Sequence, residues 1–385
     1  MSTSGTKKDF IFITTLTLTL LLIGFLPTGF QKLEYKSTEG VIAKVISVDN
    51  TDVHHTGILK MGEQSATILI ETGSYKGEII EASNLLTGSM SKDSIYAEGD
   101  KVWTLIGFNQ NNDMDFANII SYYRLNDLFL LIGVFSALII AFSGFTGART
   151  LLSFAFALLT IWKILLPGLL KGYNPLFMAL LVGNTLTIVT LLLVAGFSMK
   201  AYAAIASSMI SSIVTCLLAI YFGKLLNIHG AVLEGSESLL YSGFLQLNLT
   251  SIFQAGIYLA SSGAILDLAM DISSALEEIA TNNPGITRSK LVKSGLNIGK
   301  SVVGSQTTTL LFAYMGTYMT VMMVYMAQGT PLMNILNSNV ISAEILHTFV
   351  GCIGLVLVAP LTSLISGFLL QTEAAKVNQS ITLSS

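Results

Sequence analysis

Long apolar runs joined by short polar links make up most of this chain, and a single polar stretch interrupts them near the N-terminus. A helix needs roughly 20 predominantly apolar residues to cross about 30 Å of hydrocarbon. Eight runs meet that length: residues 9–29, 126–144, 150–170, 175–197, 201–222, 251–275, 302–327 and 344–370. Residues 30–124 follow another rule. Apolar and polar positions alternate there in "GVIAKVISVD", "ATILIETG", "GEIIEASN" and "KVWTLIGF", with turn signals at "VDNTD", "ETGSYKG" and "AEGDK". A period of two between turns predicts antiparallel strands with one face buried. About five strands in this length suit a small OB-like or SH3-like barrel. The expected fold is a polytopic α-helical membrane protein of about eight transmembrane helices, with a small all-β barrel-like domain inserted between helices 1 and 2.

Charge orients this arrangement. One set of short links carries Lys7, Lys8, Arg149, Lys200, Arg288, Lys290, Lys293, Lys300 and Lys376, while the opposite set carries Lys171 and Lys224. Positive links stay inside, so both termini are expected in the cytoplasm and residues 30–124 outside the membrane. The expected segments are 1–29 (N-terminus and first helix), 30–124 (barrel), 125–372 (seven-helix bundle) and 373–385 (cytoplasmic tail). The N-terminal apolar run lacks a small-x-small cleavage site and reads as an uncleaved helix.

Composition agrees with the bilayer as solvent. Hydrophobic residues make up 52% and charged residues 11%, where soluble domains carry roughly 25% charged residues. With a net charge of −3 and no basic run longer than Lys7-Lys8, nucleic acid is not an expected partner. Cys216 and Cys352 lie in apolar runs and read as small core residues.

The chemistry concentrates in "SGAILDLAMDISSALEEI", residues 262–279. Side chains four apart share a helical face, so Gly263, Asp267, Asp271 and Ala275 form one stripe, with Ser274 and Glu278 beside it. At 1.5 Å per residue, Asp267 lies roughly 15 Å from a helix end near residue 277, close to mid-membrane. An aspartate there costs about 2.5–3.5 kcal/mol on insertion scales, and such residues usually face a bundle interior and mark ion paths. A proton shared by Asp267 and Asp271 is one reading. The other is static pairing with hydroxyls or with a buried cation. Lys163, at similar depth in its span, is the candidate cation, unless it snorkels to the interface.

Gln306, Thr307, Thr308 and Thr309 follow in the next span, with Gly304 allowing close approach, and Asn184 falls in the middle of the fourth. Such groups serve either as helix glue or as part of a polar path. Ala and Ser at small-xxx-small spacing in 201–222 predict close helix packing. Thr287 or Ser289 is positioned to cap a short basic helix after Asn283-Pro284-Gly285. The histidines form no metal-ligand set, although "DNTDVHH" has the composition to touch a cation. With no nucleophile elbow, Walker A loop or zincin motif, neither an enzyme nor a cofactor is expected.

Several segments resemble the YibE/F-like multitransmembrane proteins of bacteria: "GVIAKVISVDN", "SYKGEIIEASNLLTGS", "YAEGDKVWTL", "LLPGLLKGYNP", "LLLVAGFSMKA", "SGAILDLAMDISSALEEI", "KSGLNIGKSVVGSQTTTLLFAYMG" and "GCIGLVLVAPLTSLISG". The resemblance implies an integral membrane protein that works beside a smaller membrane partner of the same family, with a homo-oligomer also open. A looser pattern from Gly263 to Tyr314 is similar to the middle of proton-driven resistance–nodulation–division exporters and SecD/SecF translocation helpers. It implies a proton carried by Asp267 and Asp271. The leading expectation is therefore a transporter or export-accessory component coupled to proton movement. The alternative is a membrane scaffold or regulatory subunit.

Overall fold

A computed structural model describes residues 3–30, 38–109 and 114–384, with side chains described from residue 9 to residue 371. The side chains of Lys7, Lys8 and Lys376, which enter the charge argument, lie outside that set. The chain divides into two compact units, residues 29–141 and residues 1–28 with 142–385.

The first unit is built on six strands: β1 (Thr38–Asp49), β2 (Val53–Thr56), β3 (Leu59–Ile70), β4 (Ile79–Thr87), β5 (Lys101–Phe108) and β6 (Met114–Tyr122). β1 pairs with both β5 and β3, closing the ring β1-β5-β6-β4-β3, while β2 adds only a hairpin arm to β3. β4 and β6 meet in parallel and the other pairs are antiparallel. This is the order of an OB-like Greek-key barrel. The alternation in sequence explains the closure: Val41, Ala43 and Val45, then Ala66, Ile68 and Ile70, then Val102 and Ile106, all point inward and are buried.

The turn after β1 makes a first prediction. Thr51 donates its hydroxyl and its amide to Asp49 Oδ1, the amide bond being 2.9 Å. These bonds, the hydroxyl's first, hold the Asp49 carboxyl below its ordinary value. A depressed folded value means that the contribution is complete above the unfolded carboxyl value and is lost as pH falls through the lower folded one. The Thr51 amide resonance should stay constant from neutral pH down through the ordinary carboxylate range and move only below it. A titration midpoint at or above that range would contradict the assignment.

The second unit is helical. Its elements are α1 (Thr3–Phe25), the C-terminal part of α2 (Leu125–Thr160), α3 (Leu166–Leu170), α4 (Pro175–Ala195), α5 (Met199–Leu225), α6 (Ser236–Tyr241), α7 (Leu249–Asn282), α8 (Arg288–Ala327), α9 (Leu332–Leu336) and α10 (Asn339–Ser384). A π-helical turn, Ile161–Leu165, joins α2 to α3. Among the described residues six helical segments are long and apolar enough to cross a membrane, and α1 adds a shorter apolar stretch, Asp9–Phe25. The chain is a membrane protein. Helix α2 contains a break at Gly144, where φ is 55° and ψ is −128°, a conformation that glycine adopts without steric cost. The break falls where the apolar pattern divides two runs.

At the centre of this unit, α5, α7 and α10 meet through small and hydroxyl side chains. Ser211 Oγ donates to the Gly354 carbonyl at 2.6 Å, Thr362 Oγ1 to Ser207 Oγ at 2.7 Å, and Ser366 Oγ to Ser273 Oγ at 3.2 Å. The small-residue spacing read in α5 performs the packing expected of it, since Ala204, Ser207, Ser208, Ser211 and Thr215 are all buried. Leu268, Ile272, Leu276, Leu355 and Val358 fill the core beside them. α1 packs through Leu16 and Ile23 against Phe156, Val189 and Leu193.

Two local expectations are corrected. The basic segment after Pro284 is the first turns of the 40-residue α8 rather than a short helix, and Thr287 at its N-cap makes no side-chain capping bond. The buried row of α8, Leu291, Gly295 and Gly299, continues from the basic segment toward Leu310 in the membrane run, so nothing stops the helix. Gly304 was expected to admit a close neighbour, yet a Cβ built there would meet nothing within 4 Å.

Candidate functional site

Asp267 and Asp271 project from α7, whose other faces are tightly packed. Ile265, Leu268, Ala269 and Ile272 are fully buried, while Ala260, Gly263, Asp267 and Asp271 are exposed along one stripe. The periodicity correctly put the two carboxylates on one face. The expectation that this face looks into the bundle interior is overturned, because α4, α5, α8 and α10 cover the apolar sides of α7 and leave this one open. The reason is physical: apolar side chains gain by packing against other helices, so the polar stripe is the side left over.

The other predicted residues are not drawn to the pair. Lys163 sits in the π-helical turn and donates from Nζ to the Leu26 carbonyl at 2.9 Å. Thr307 Oγ1 bonds the Val303 and Gly304 carbonyls of its own helix, and Thr308 Oγ1 also bonds Gly304. Ser274 and Gln306 are half-buried. Asn184 on α4 keeps a buried Oδ1 with no hydrogen-bond partner. Among the described residues no hydrogen bond or ion pair joins any of these groups to Asp267 or Asp271. Nearer the C-terminal end of α7, Lys200 forms an ion pair with Glu277 at 2.6 Å, and Ser273 Oγ donates to the Lys200 carbonyl at 2.8 Å.

In a bilayer the exposed pair has a direct consequence. A carboxylate facing hydrocarbon near mid-span costs about 2.5–3.5 kcal/mol on insertion scales, and two of them cannot both be left against lipid tails. This face therefore requires water, polar headgroups or protein opposite it.

A second polar cluster lies where α8 ends and α10 begins. Glu344 is only 7% exposed. Its Oε2 lies 3.9 Å from His347 Nδ1, one helical turn along α10. The His347 ring rests on the Tyr314 ring of α8, with centroids 4.3 Å apart. Glu344 Oε1, His347 Nε2 and the Tyr314 hydroxyl are all buried without a hydrogen-bond partner. Sequence reasoning passed over this group. The signal was present in "AEILHTF", an acid and an imidazole three apart at the start of an apolar run. A charge at a span end is cheap, however, and the tyrosines join it only through the pairing of α8 with α10.

Comparison with known proteins adds what geometry alone does not carry. A family profile described as YibE/F-like protein matches residues 131–372, and one described as YibE/F family N-terminal domain matches residues 35–122. No curated protein and no solved structure matches the chain. The two profiles follow one another in the order barrel, then helical bundle, and the second alone extends over more than half of the sequence. The chain belongs to the YibE/F-like family.

Proposed function

We propose that this protein is a component of a bacterial membrane transport or export system, in which protons move through Asp267 and Asp271. The observation that carries the reading is the placement of two carboxylates one turn apart on an otherwise apolar membrane helix, on a face that its own chain leaves open. On this reading the chain crosses eight times, α2 counting twice about Gly144, with both termini in the cytoplasm and the barrel outside. The covering element is then another membrane chain, either the smaller family partner or a second copy. A proton path at such an interface joins carboxylates from one chain to polar groups of the other. No catalytic nucleophile or metal set enters this reading, and the protein acts without being an enzyme.

Proton flux into proteoliposomes tests the proposal. Wild type and the Asp267→Asn/Asp271→Asn double variant are compared, each with and without the smaller family member. The expected result is flux that needs the partner and is lost in the variant while folding is retained. Equal flux in both proteins would end the proposal.

One observation favours a second reading. The hydroxyls of α8 bond their own helix and Lys163 bonds a carbonyl, which leaves the aspartates free to dock a polar helix statically. In that scaffold role the double variant should abolish co-purification of the partner with no flux to lose.

A further inference from the structure

Lys293, Asn297, Lys300 and Gly304 follow one another along the first half of α8 at spacings of four, three and four, and all of them are exposed. That spacing keeps side chains on one stripe of a helix, as in a coiled-coil seam. α7 carries a stripe of the same spacing: Asp267, Asp271, Ser274 and Glu278, exposed except at the half-buried serine. One stripe is basic and the other acidic. Among the described residues, neither lysine and none of these three acids belongs to an ion pair. Charges on membrane helices are costly unless they are paired or reach water.

The two stripes also stand at matching depths. Within the chain α7 and α8 pack through other residues: a Cβ added at Gly295 would lie 2.9 Å from Leu276 Cδ1, and one at Gly299 would lie 3.5 Å from Ile272 Cδ1. The numbers rise along one helix as they fall along the other, so the helices are antiparallel and these contacts fix which residues share a level. Gly299 beside Ile272 sets Lys300 level with Asp271. Counting on in both directions sets Lys293 level with Glu278, Asn297 with Ser274 and Gly304 with Asp267. Closed rotational symmetry is the rule for oligomers, and rotation about the membrane normal leaves every residue at its own depth. The basic stripe of one copy therefore meets the acidic stripe of another in register.

We infer that α8 of one copy of this chain docks antiparallel against α7 of a second copy, with Lys293 opposite Glu278, Lys300 opposite Asp271 and Gly304 opposite Asp267. A Cβ at Gly304 meets nothing within 4 Å in its own chain, and a bare backbone lets a facing membrane helix come close. Charge pairs of this kind set register and reject wrong partners. The docking rests on the proposed function in one respect, that another membrane chain covers the open face of α7, and it makes that chain the same protein.

Disulfide trapping between copies tests it. Two differently tagged full-length chains, both carrying Cys216→Ala and Cys352→Ala, are co-expressed without the smaller family member and oxidised in the membrane. One bears Asn297→Cys and the other Ser274→Cys. A disulfide joining the two tags is expected, and neither substitution expressed alone should give one. Reversing the basic stripe in both chains, Lys293→Glu with Lys300→Asp, should remove the cross-link. Adding Asp271→Lys and Glu278→Lys should restore it, which separates lost pairing from misfolding because the restored chain still contains every change of the broken one. The cross-link is read without a gradient, so it fails separately from the proton reading: flux with no cross-link would remove the second copy and leave the proton site, whereas a cross-link with no flux would do the reverse. No disulfide between copies with native charges, a disulfide that survives the reversal, or no restoration in the swapped chain would overturn the inference.

Discussion

Replacing Gln64 with leucine is expected to destabilise the barrel by about 3 kcal/mol or more. Gln64 is completely buried on β3 and uses every hydrogen-bonding position of its amide. Nε2 donates to Asn50 Oδ1 at 2.8 Å and to the Tyr96 carbonyl at 2.9 Å, while Oε1 accepts from the Tyr96 amide and from Asn84 Nδ2, both at 3.0 Å. One side chain therefore ties the turn after β1, strand β4 and the segment before β5 into a single node. Leucine fits the volume and satisfies none of the four. Each buried group left without a partner costs about 1–3 kcal/mol, and the Tyr96 amide, the Tyr96 carbonyl and Asn84 all lose one. Gln64→Glu is a sharper version, since it points an acceptor at the Asn50 oxygen and the Tyr96 carbonyl. Hydrogen exchange of the full chain reads the effect locally: the Tyr96 amide should lose protection first, followed by the β3 and β4 ladder. An unchanged Tyr96 amide in Gln64→Leu would show that the node does not hold the barrel.

In the helical unit the largest effect is expected at Gly354. A Cβ at this position would collide with the Thr215 hydroxyl and come within 3.1 Å of Ile265 Cδ1, and the Gly354 carbonyl accepts the 2.6 Å bond from Ser211. Gly354→Val must therefore push α10 away from both α5 and α7. Overpacking costs about 1–3 kcal/mol, and the strained Ser211 bond adds about 1 kcal/mol. Helices in lipid gain little hydrophobic energy from one another and rely on close backbone approach, so the loss is not recovered elsewhere. Thermal unfolding in detergent should shift clearly downward, with aggregation on size exclusion. Gly316→Val on α8, where a Cβ would meet nothing within 4 Å, is the control and should leave the midpoint in place. If both variants melted alike, close approach at Gly354 would not be what holds α5 and α10 together.

Much of this was legible in the chain. The switch of period from two to helical runs separated the barrel from the bundle, because alternation and the 3.6-residue repeat reflect which backbone faces apolar surroundings. The end of one apolar run at residue 144 and the start of the next at 150 marked the division inside α2, and small residues in α5 marked a close helix contact. The i, i+4 spacing put Asp267 and Asp271 on one stripe for the same local reason.

What lay beyond the sequence was direction and company. A helical stripe is fixed by its own residues, but whether it points to a core or away from it depends on which neighbours cover the remaining faces. Asp267 and Asp271 were expected inward and stand outward, while Glu344, unremarkable at the edge of a span, is the carboxylate that the fold buries. Ring closure in the barrel follows the same logic, since each strand can be read alone but the parallel meeting of β4 with β6 depends on long-range pairing. Local periodicity is written in neighbouring residues and determined the elements. The environment of each side chain is set by residues tens of positions away, so only the tertiary structure decided which polar groups are orphaned and which face of α7 is left open.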